Sequence, residues 1–306
     1  MHIATKTLAA INEAIHRDQG GTYRQHLKRL MPLSDDAYRG EESEFRAHLG
    51  ASIIGRNCPR EVWYSFHWTT SRKFDGRMLR LFNRGHLEEP RMIAALLTIG
   101  CTFYQFDANG KQFRIGDHRG HYGGSLDGVV VGLPDLNPGV PALGEFKTHN
   151  DKSFSKLKEN GVMATKYEHF VQMQQYMGKK DLTVALYMAT NKNDDDLHAE
   201  LVQFDPIIYQ KYLNLAGSVI DAPTPPPKIA DTPGFFKCKF CDHSATCHLK
   251  APPARNCRTC RFSVPSDDGL WLCQHPVSAA LNGDNPPMSE AEQLRGCTKY
   301  EVNPHI

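Results

Sequence analysis

The chain has no apolar run long enough to cross a bilayer. Its opening segment, Met1 to Asp18, mixes charge with small residues where a secretory leader would carry an apolar stretch. A cytoplasmic protein with no membrane partner is expected. Net charge is scarce too: 36 Lys and Arg stand against 34 Asp and Glu, a formal +2. That excludes a bulk polycation, and any surface for a polyanion must be a local basic groove. No internal repeat and no long low-complexity tract occurs. The phosphate-cradling pattern G-x-x-x-x-G-K-S/T is missing as well.

What is present is a 306-residue chain with 40% hydrophobic residues, enough for one large domain or one domain with an appendage. Residues 5–50 read as mainly helical, with loop signals at Gly20-Gly21 and near Pro32. Arg77 to Leu97 carries the apolar stripe of a long helix (Met78, Leu81, Phe82, Met92, Ile93, Leu96, Leu97), which Pro90 should bend or divide. Strands are expected near 101–107, 122–132, 141–148, 182–189 and 200–204, with a helix over 163–179. This order predicts an α/β fold with a central mixed sheet flanked by helices. The proline-rich stretch from Asp221 to Pro233 reads as a semi-rigid linker. The expected division is 1–76, mainly helical; 77–220, the α/β core; 221–250, linker and thiol segment; and 251–306, a small Cys-rich module.

One stretch concentrates chemistry. Gly124-Ser125-Leu126-Asp127 enters the β-branched run Val129-Val130-Val131, and a second apolar run ends in Glu145-Phe146-Lys147. Strand side chains alternate, so Glu145 and Lys147 share one face while Phe146 points into the core. Two carboxylates beside an ammonium suit a bound divalent cation and an oriented water. Asp135 is a rival acid, but Gly132-Leu133-Pro134-Asp135-Leu136-Asn137-Pro138-Gly139 has the composition of a turn, which favours Asp127.

This arrangement resembles the PD-(D/E)XK nuclease superfamily and, within it, the RecB-like exonucleases. Four pieces appear in the order those proteins use: Gly85-His86-Leu87-Glu88-Glu89-Pro90, then Gly124 to Asp127, then Glu145-Phe146-Lys147, then Gln172-Met173-Gln174-Gln175-Tyr176. The first piece is also similar to the G-x-x-x-E-P pattern of lambda-exonuclease and YqaJ-like proteins, which favours Glu89 as the helix acid, with Glu88 and His86 as alternates. The resemblance implies a restriction-endonuclease-like core. It also implies Mg²⁺ or Mn²⁺ held by Asp127, Glu145, Glu89 (or His86) and the Phe146 carbonyl. Lys147, Gln172 and Tyr176 would complete a catalytic set that degrades DNA from its ends.

Nine cysteines are unevenly spread: Cys58 and Cys101 stand alone, and seven lie between Cys238 and Cys297. Cys101 falls at a helix-to-strand junction and reads as a buried structural thiol. Cys238, Cys241 and Cys247 have C-x2-C-x5-C spacing, with Cys58 far upstream as a fourth thiol. Four thiolates suit a 4Fe–4S cluster or a tetrahedral zinc. The split placement is similar to that of AddB-type and CRISPR-associated RecB-like nucleases, which implies iron–sulfur. Cys257, Cys260, Cys273 and Cys297, with His275 as a substitute, read as a structural Zn²⁺ module too short to build much of a core without metal.

Basic residues flank the proposed acids: Lys152, Lys156 and Lys158 beyond the Glu145 strand, Lys166, Lys179 and Lys180 on the next helix, and Arg72 to Arg84 before Glu89. They suit single-stranded or end-bearing duplex DNA. Trp63, Tyr64, Phe66 and Trp68 could stack bases, with core packing the stronger expectation. A helicase or recombinase partner would supply any unwinding, in recombination, repair or phage DNA metabolism. Two rival readings are a catalytically inactive nuclease fold that binds DNA or serves as a scaffold, and a zinc-dependent nucleic-acid interaction protein.

Overall fold

The computed structural model describes residues 1–33, 45–277 and 285–306. The helix expected through 34–44 therefore lies outside the described residues. The chain forms two compact units: Met1–Glu42 with Phe74–Ile115 and Ser125–Tyr209, and Ser43–Lys73 with Gly116–Gly124 and Gln210–Ile306.

The first unit is built on a five-stranded sheet: β1 (Thr102–Tyr104), β2 (Gly128–Val131), β3 (Pro141–His149), β4 (Val184–Asn191) and β5 (Leu197–Gln203), hydrogen-bonded in that order. Only β3 and β4 run parallel; every other neighbour is antiparallel. The sheet is thus mixed, as expected. β4 is buried along its whole length, which is why its sequence Val-Ala-Leu-Tyr-Met-Ala-Thr-Asn is nearly all apolar.

Helices α1 (Thr5–Arg17), α2 (Gly21–Leu30), α3 (Gly76–Thr98), α4 (Asp151–Thr165) and α5 (Tyr167–Lys179) complete this unit. Alternation in the strands sorts the core. Ala142 and Phe146 of β3 and Leu186 and Met188 of β4 join Ile11 of α1 and Ile93 and Leu96 of α3 in one cluster. The opposite side chains of β3 and β4 lie towards α4 and α5, which bury Phe154, Leu157, Val171 and Met173.

α3 opens where the Asp75 carboxylate accepts from Met78 N at 2.7 Å, a side-chain cap on an otherwise unpaired amide. It runs 23 residues with Pro90 inside and is not divided there. Proline at that position cannot supply the amide that would close the turn onto the His86 carbonyl. The helix ends where Cys101 N bonds the Leu96 carbonyl and Gly100 adopts φ +85°. Cys101 is buried at the junction with β1, and its Sγ donates to the Gly132 carbonyl. α4 was not expected from the sequence; Asn150 caps it by accepting from Ser153 N at 2.9 Å.

The second unit has few regular elements and a core of rings. Trp63, Trp68 and Trp271, all the indoles of the chain, are buried with Tyr64, Phe66 and Tyr122. Core packing is thus the use of Trp63, Tyr64, Phe66 and Trp68, and none presents a face for bases. Arg258 lies among them, its guanidinium 3.8 Å from the Trp68 centroid and 4.7 Å from that of Trp271. It donates to the carbonyls of Ala47 and Phe66 and to Gln293 Oε1. The planar fork both stacks and donates, which an ammonium could not do. The proline-rich stretch docks here as well: Arg60 Nε donates to the Pro226 carbonyl and Trp63 Nε1 to that of Ala222. A small antiparallel sheet of Ser263–Pro265, Trp271–Cys273 and Pro287–Met288 belongs to this unit, as do short helices at Pro59–Phe66, Ser244–Leu249 and Glu290–Arg295. Among the described residues, no helix is long and apolar enough to cross a membrane.

His67 gives this core a pH dependence. Its ring stacks on Trp63 at 3.6 Å, and Nδ1–H donates to the Trp63 carbonyl. Burial pulls its pKa down to about 3. The folded state therefore keeps it neutral, whereas the unfolded chain protonates it near the ordinary value of about 6.5. Its contribution is complete above that value and is lost as pH falls toward 3. Denaturant unfolding should show a loss of about 2 kcal/mol from this residue by about pH 5. His67→Phe should reduce the dependence of stability on pH by one proton over that window.

Candidate active site

β3 places Glu145, Lys147 and His149 on one face by alternation. Glu145 is fully buried, and Lys147 Nζ donates to its Oε1. Among the described residues, Glu145 Oε2 has no hydrogen-bond partner. Burial and the nearby Asp127 charge raise the Glu145 pKa against the opposing effect of Lys147. Burial pulls the Lys147 pKa down, but the charges of Glu145 and Asp127 outweigh it and hold the ammonium protonated.

Asp127 reaches this place by a break in the chain. The strand expected over 122–132 is two separate strands, Tyr122–Ser125 and β2, in different sheets. Asp127 stands in the gap, not within a strand, and its Oδ2 accepts from Phe146 N at 2.8 Å. The cause of the break is Gly128. A Cβ there would lie 2.4 Å from the Phe103 ring and 2.5 Å from the Tyr104 carbonyl, so the chain can turn into β2 only without a side chain.

Asp127, Phe146 and Lys147 line an open cleft together with His86 and Glu89 of α3. His149, Lys166 and His169 also line it, Lys166 as a cation and the two imidazoles neutral. Glu88 is not part of it: it is buried elsewhere, paired with Arg91 at 2.8 Å. Asp135 is also elsewhere. It accepts from Lys6 N, Thr7 N and Thr7 Oγ1, and so caps α1 from a distant part of the chain. Gln172 and Tyr176 do not line the cleft. Both are buried, with Gln172 Nε2 donating to the Tyr176 hydroxyl at 3.2 Å. Burial and the Glu145 charge hold the Tyr176 phenol above its ordinary range.

The sequence reading missed a chain of rings beside the carboxylates. The Tyr187 hydroxyl bridges His149 Nε2 and His169 Nδ1, each at 2.9 Å. Tyr187 is the register partner of Glu145 across β3 and β4. Burial, with the charge of Lys166, pulls His149 down to about 4; burial, with that of Lys147, pulls His169 to about 2. His149 was legible, because it extends the Glu145-x-Lys147 alternation by one step.

In the second unit, Cys58, Cys238, Cys241 and Cys247 line a single cavity. Burial pushes the Cys241 thiol up to about 12, with Glu61 and Cys58 adding to the effect. Burial also raises Cys238, with Cys58 and Cys247 contributing. Cys257 is pushed up to about 12 by burial and by its neighbours Cys297, Cys260 and Cys273. All nine cysteines are free thiols. His275 lies against the Phe262 ring instead, 4.6 Å between centroids. Among the described residues, no group of three or more His, Cys, Asp or Glu side chains is arranged to hold a metal ion as it stands.

No protein-family profile matches this chain, and no curated protein matches it significantly. Among solved structures it is similar to LHK-Exo, an alkaline exonuclease from Laribacter hongkongensis, at 16% identity and a TM-score of 0.41 over 56% of this chain and 86% of that one. The same exonuclease in complex with dAMP aligns at 15% identity with the same TM-score and coverage. The protein SSO0001 aligns at 16% identity and a TM-score of 0.38, over 76% of this chain and 99% of that one. Scores this low assign no residue a role.

The two aspartates separate by what they hold. Asp135→Ala frees the first amides of α1 and should lower unfolding stability by about 1–2 kcal/mol. Asp127→Asn should cost less, since the amide oxygen that replaces a carboxylate oxygen can still accept from Phe146 N. Urea unfolding of the two variants reads the difference.

Proposed function

We propose that the chain is a Mg²⁺- or Mn²⁺-dependent deoxyribonuclease that hydrolyses DNA from its ends. The observation that carries this reading is Glu145: a carboxylate buried in the sheet, with one oxygen unpartnered, beside a second carboxylate and an ammonium. Like charges in a dry site are costly without a cation and useful with one. The donor set fits a hard divalent ion, which Asp127 and Glu145 would hold, with Glu89, His86 or the Phe146 carbonyl completing the ligands. When bound, the ion polarises a phosphate and makes water acidic.

The remaining roles belong to side chains. Lys147, fixed by Glu145, orients the attacking water and screens charge on the phosphate. Gln172 and Tyr176 brace the buried carboxylates rather than touching substrate. Lys166 draws the strand's phosphates into the cleft. End-directed action on single-stranded DNA or duplex ends follows from the likeness of the four motifs to RecB-like exonucleases, as do the settings of recombination, repair or phage DNA metabolism. A helicase or recombinase would act beside it. Free thiols suit a reducing compartment, and we place the chain in the cytoplasm.

The thiol groups fit two structural metals in kind. Cys58, Cys238, Cys241 and Cys247 would hold a 4Fe–4S cluster, closing a very long loop. Cys257, Cys260, Cys273 and Cys297 would hold Zn²⁺.

End-labelled single-stranded and duplex DNA, with Mg²⁺ or Mn²⁺ against EDTA, tests the activity. Cleavage should require the cation and fall to background in Asp127→Ala and Glu145→Ala. Lys147→Ala should lose about 10²–10⁴-fold, without rescue by Lys147→Arg. The Gln172→Ala/Tyr176→Phe pair should lose about 10²-fold. Undiminished cleavage by Asp127→Ala rejects the assignment.

Metal analysis of protein purified without oxygen tests the thiols. Cys58→Ser should remove iron and the visible absorption and leave zinc. Cys260→Ser should remove zinc alone. An iron-free wild-type protein with two zincs would reject the cluster and leave the nuclease reading intact.

A further inference from the structure

A groove on the second unit has no part in the chemistry above. Arg60, Lys228, Lys250 and Arg255 line it, with Tyr300 along one wall, and no carboxylate side chain does. The chain as a whole is nearly neutral, so four cations with no acidic side chain among them are a local concentration. Among the described residues no ion pair engages them. The ion pairs of this unit among the described residues engage Arg56, Arg72, Arg119 and Arg261 instead. Arg60 donates to the carbonyls of Pro225 and Pro226, and Arg255 to that of Cys297, bonds that orient a guanidinium and leave its charge. Lys228 and Lys250 are exposed.

The groove's volume of about 650 Å³ falls within the ordinary range for ligand pockets, about 300–1,000 Å³, so its chemistry rather than its size decides what it takes. Its aromatic content argues for bases. The Arg255 guanidinium lies over the Tyr300 ring at 5.5 Å. Phe236 and Phe240 are 68% and 71% exposed and are interleaved with Lys237 and Lys239. Lys237 shares the wall of the thiol cavity with Arg60, Tyr64 and Lys228, three residues that also line the groove. Exposed rings alternating with lysines are a poor solution for a solvated surface and a good one for stacked bases on a phosphate track.

The geometry points to a binding path for single-stranded nucleic acid on the second unit: Lys228, Lys250, Arg60 and Arg255 track phosphates, and Tyr300, Phe236 and Phe240 offer stacking faces. This deepens the nuclease reading, on which it rests for the choice of DNA as the strand.

Fluorescence anisotropy of a dye-labelled oligothymidine with the full chain, with no Mg²⁺ or Mn²⁺ added and no chelator, reads binding without cleavage. Lys228→Gln/Lys250→Gln should weaken binding about tenfold and lower the salt slope by about 1.4, two phosphate contacts at about 0.7 each. Lys28→Gln/Lys211→Gln, with the same change in charge outside the groove, should bind as the wild type does. Phe236→Ala/Phe240→Ala should weaken binding with the salt slope unchanged. Unchanged affinity in the Lys228/Lys250 pair, or an equal loss in the Lys28/Lys211 pair, overturns the proposal. Equal affinity for a blunt duplex overturns its single-strand character. Capture of polyglutamate without the oligonucleotide assigns the groove to an acidic protein and overturns it too. Cleavage is read separately: a chain that binds through the groove and never cuts would reject the nuclease reading alone.

Discussion

The burial of Glu145 is the constraint on which the site depends. A carboxylate inside a sheet is costly unless its charge is met, and removing the partner of such a group is worse still. Here Lys147 meets one oxygen, Asp127 adds repulsion, and the other oxygen has no partner. Strand pairing makes the placement stiff. β3 is held by β2 on one side and β4 on the other, while Phe146 stacks on Phe103 across the opposite face. A slip by one residue would put Glu145 in the apolar cluster and Phe146 among the charges, so the register cannot drift. The protein fixes its charged groups by packing their apolar neighbours.

How much of this was legible depended on whether a signal was local. The alternation of Glu145, Lys147 and Phe146 is a property of one strand, and the structure follows it residue by residue. The long helix that carries Glu89 also follows from its stripe. The break at Asp127 was not legible, because it comes from the Phe103 ring pressing on Gly128, a contact between strands distant in sequence. α4 was obscured in another way: its lysines read as a basic flank for DNA, while Phe154 and Leu157 kept helical spacing underneath. Asp135 was set aside as a turn residue for composition alone; its actual use is to cap α1, more than a hundred residues away. Tyr187 and His169 could not be read at all, since they meet His149 only once β4 and α5 are in place.

The second unit solves a different problem. It has little regular structure, and its buried volume is filled by indoles, by neutral His67 and by Arg258, whose charge is spread over ring faces and carbonyl oxygens. Cys58, Cys238, Cys241 and Cys247, drawn from segments far apart in the chain, line one cavity of this unit. One physical theme runs through both units: polar groups are placed in dry surroundings by rings and strands.

Calorimetric titration of metal-free protein with Mn²⁺, beside a thermal melt, tests that theme most directly, with Glu145→Gln as the isosteric comparison. Wild-type protein should bind Mn²⁺ saturably and melt higher with it. The Glu145→Gln protein should melt no lower than the wild type without metal, because its buried charge is gone, and should gain little from Mn²⁺. Equal Mn²⁺ binding by both proteins, or none by the wild type, would contradict the account of Glu145 as a carboxylate held for a cation.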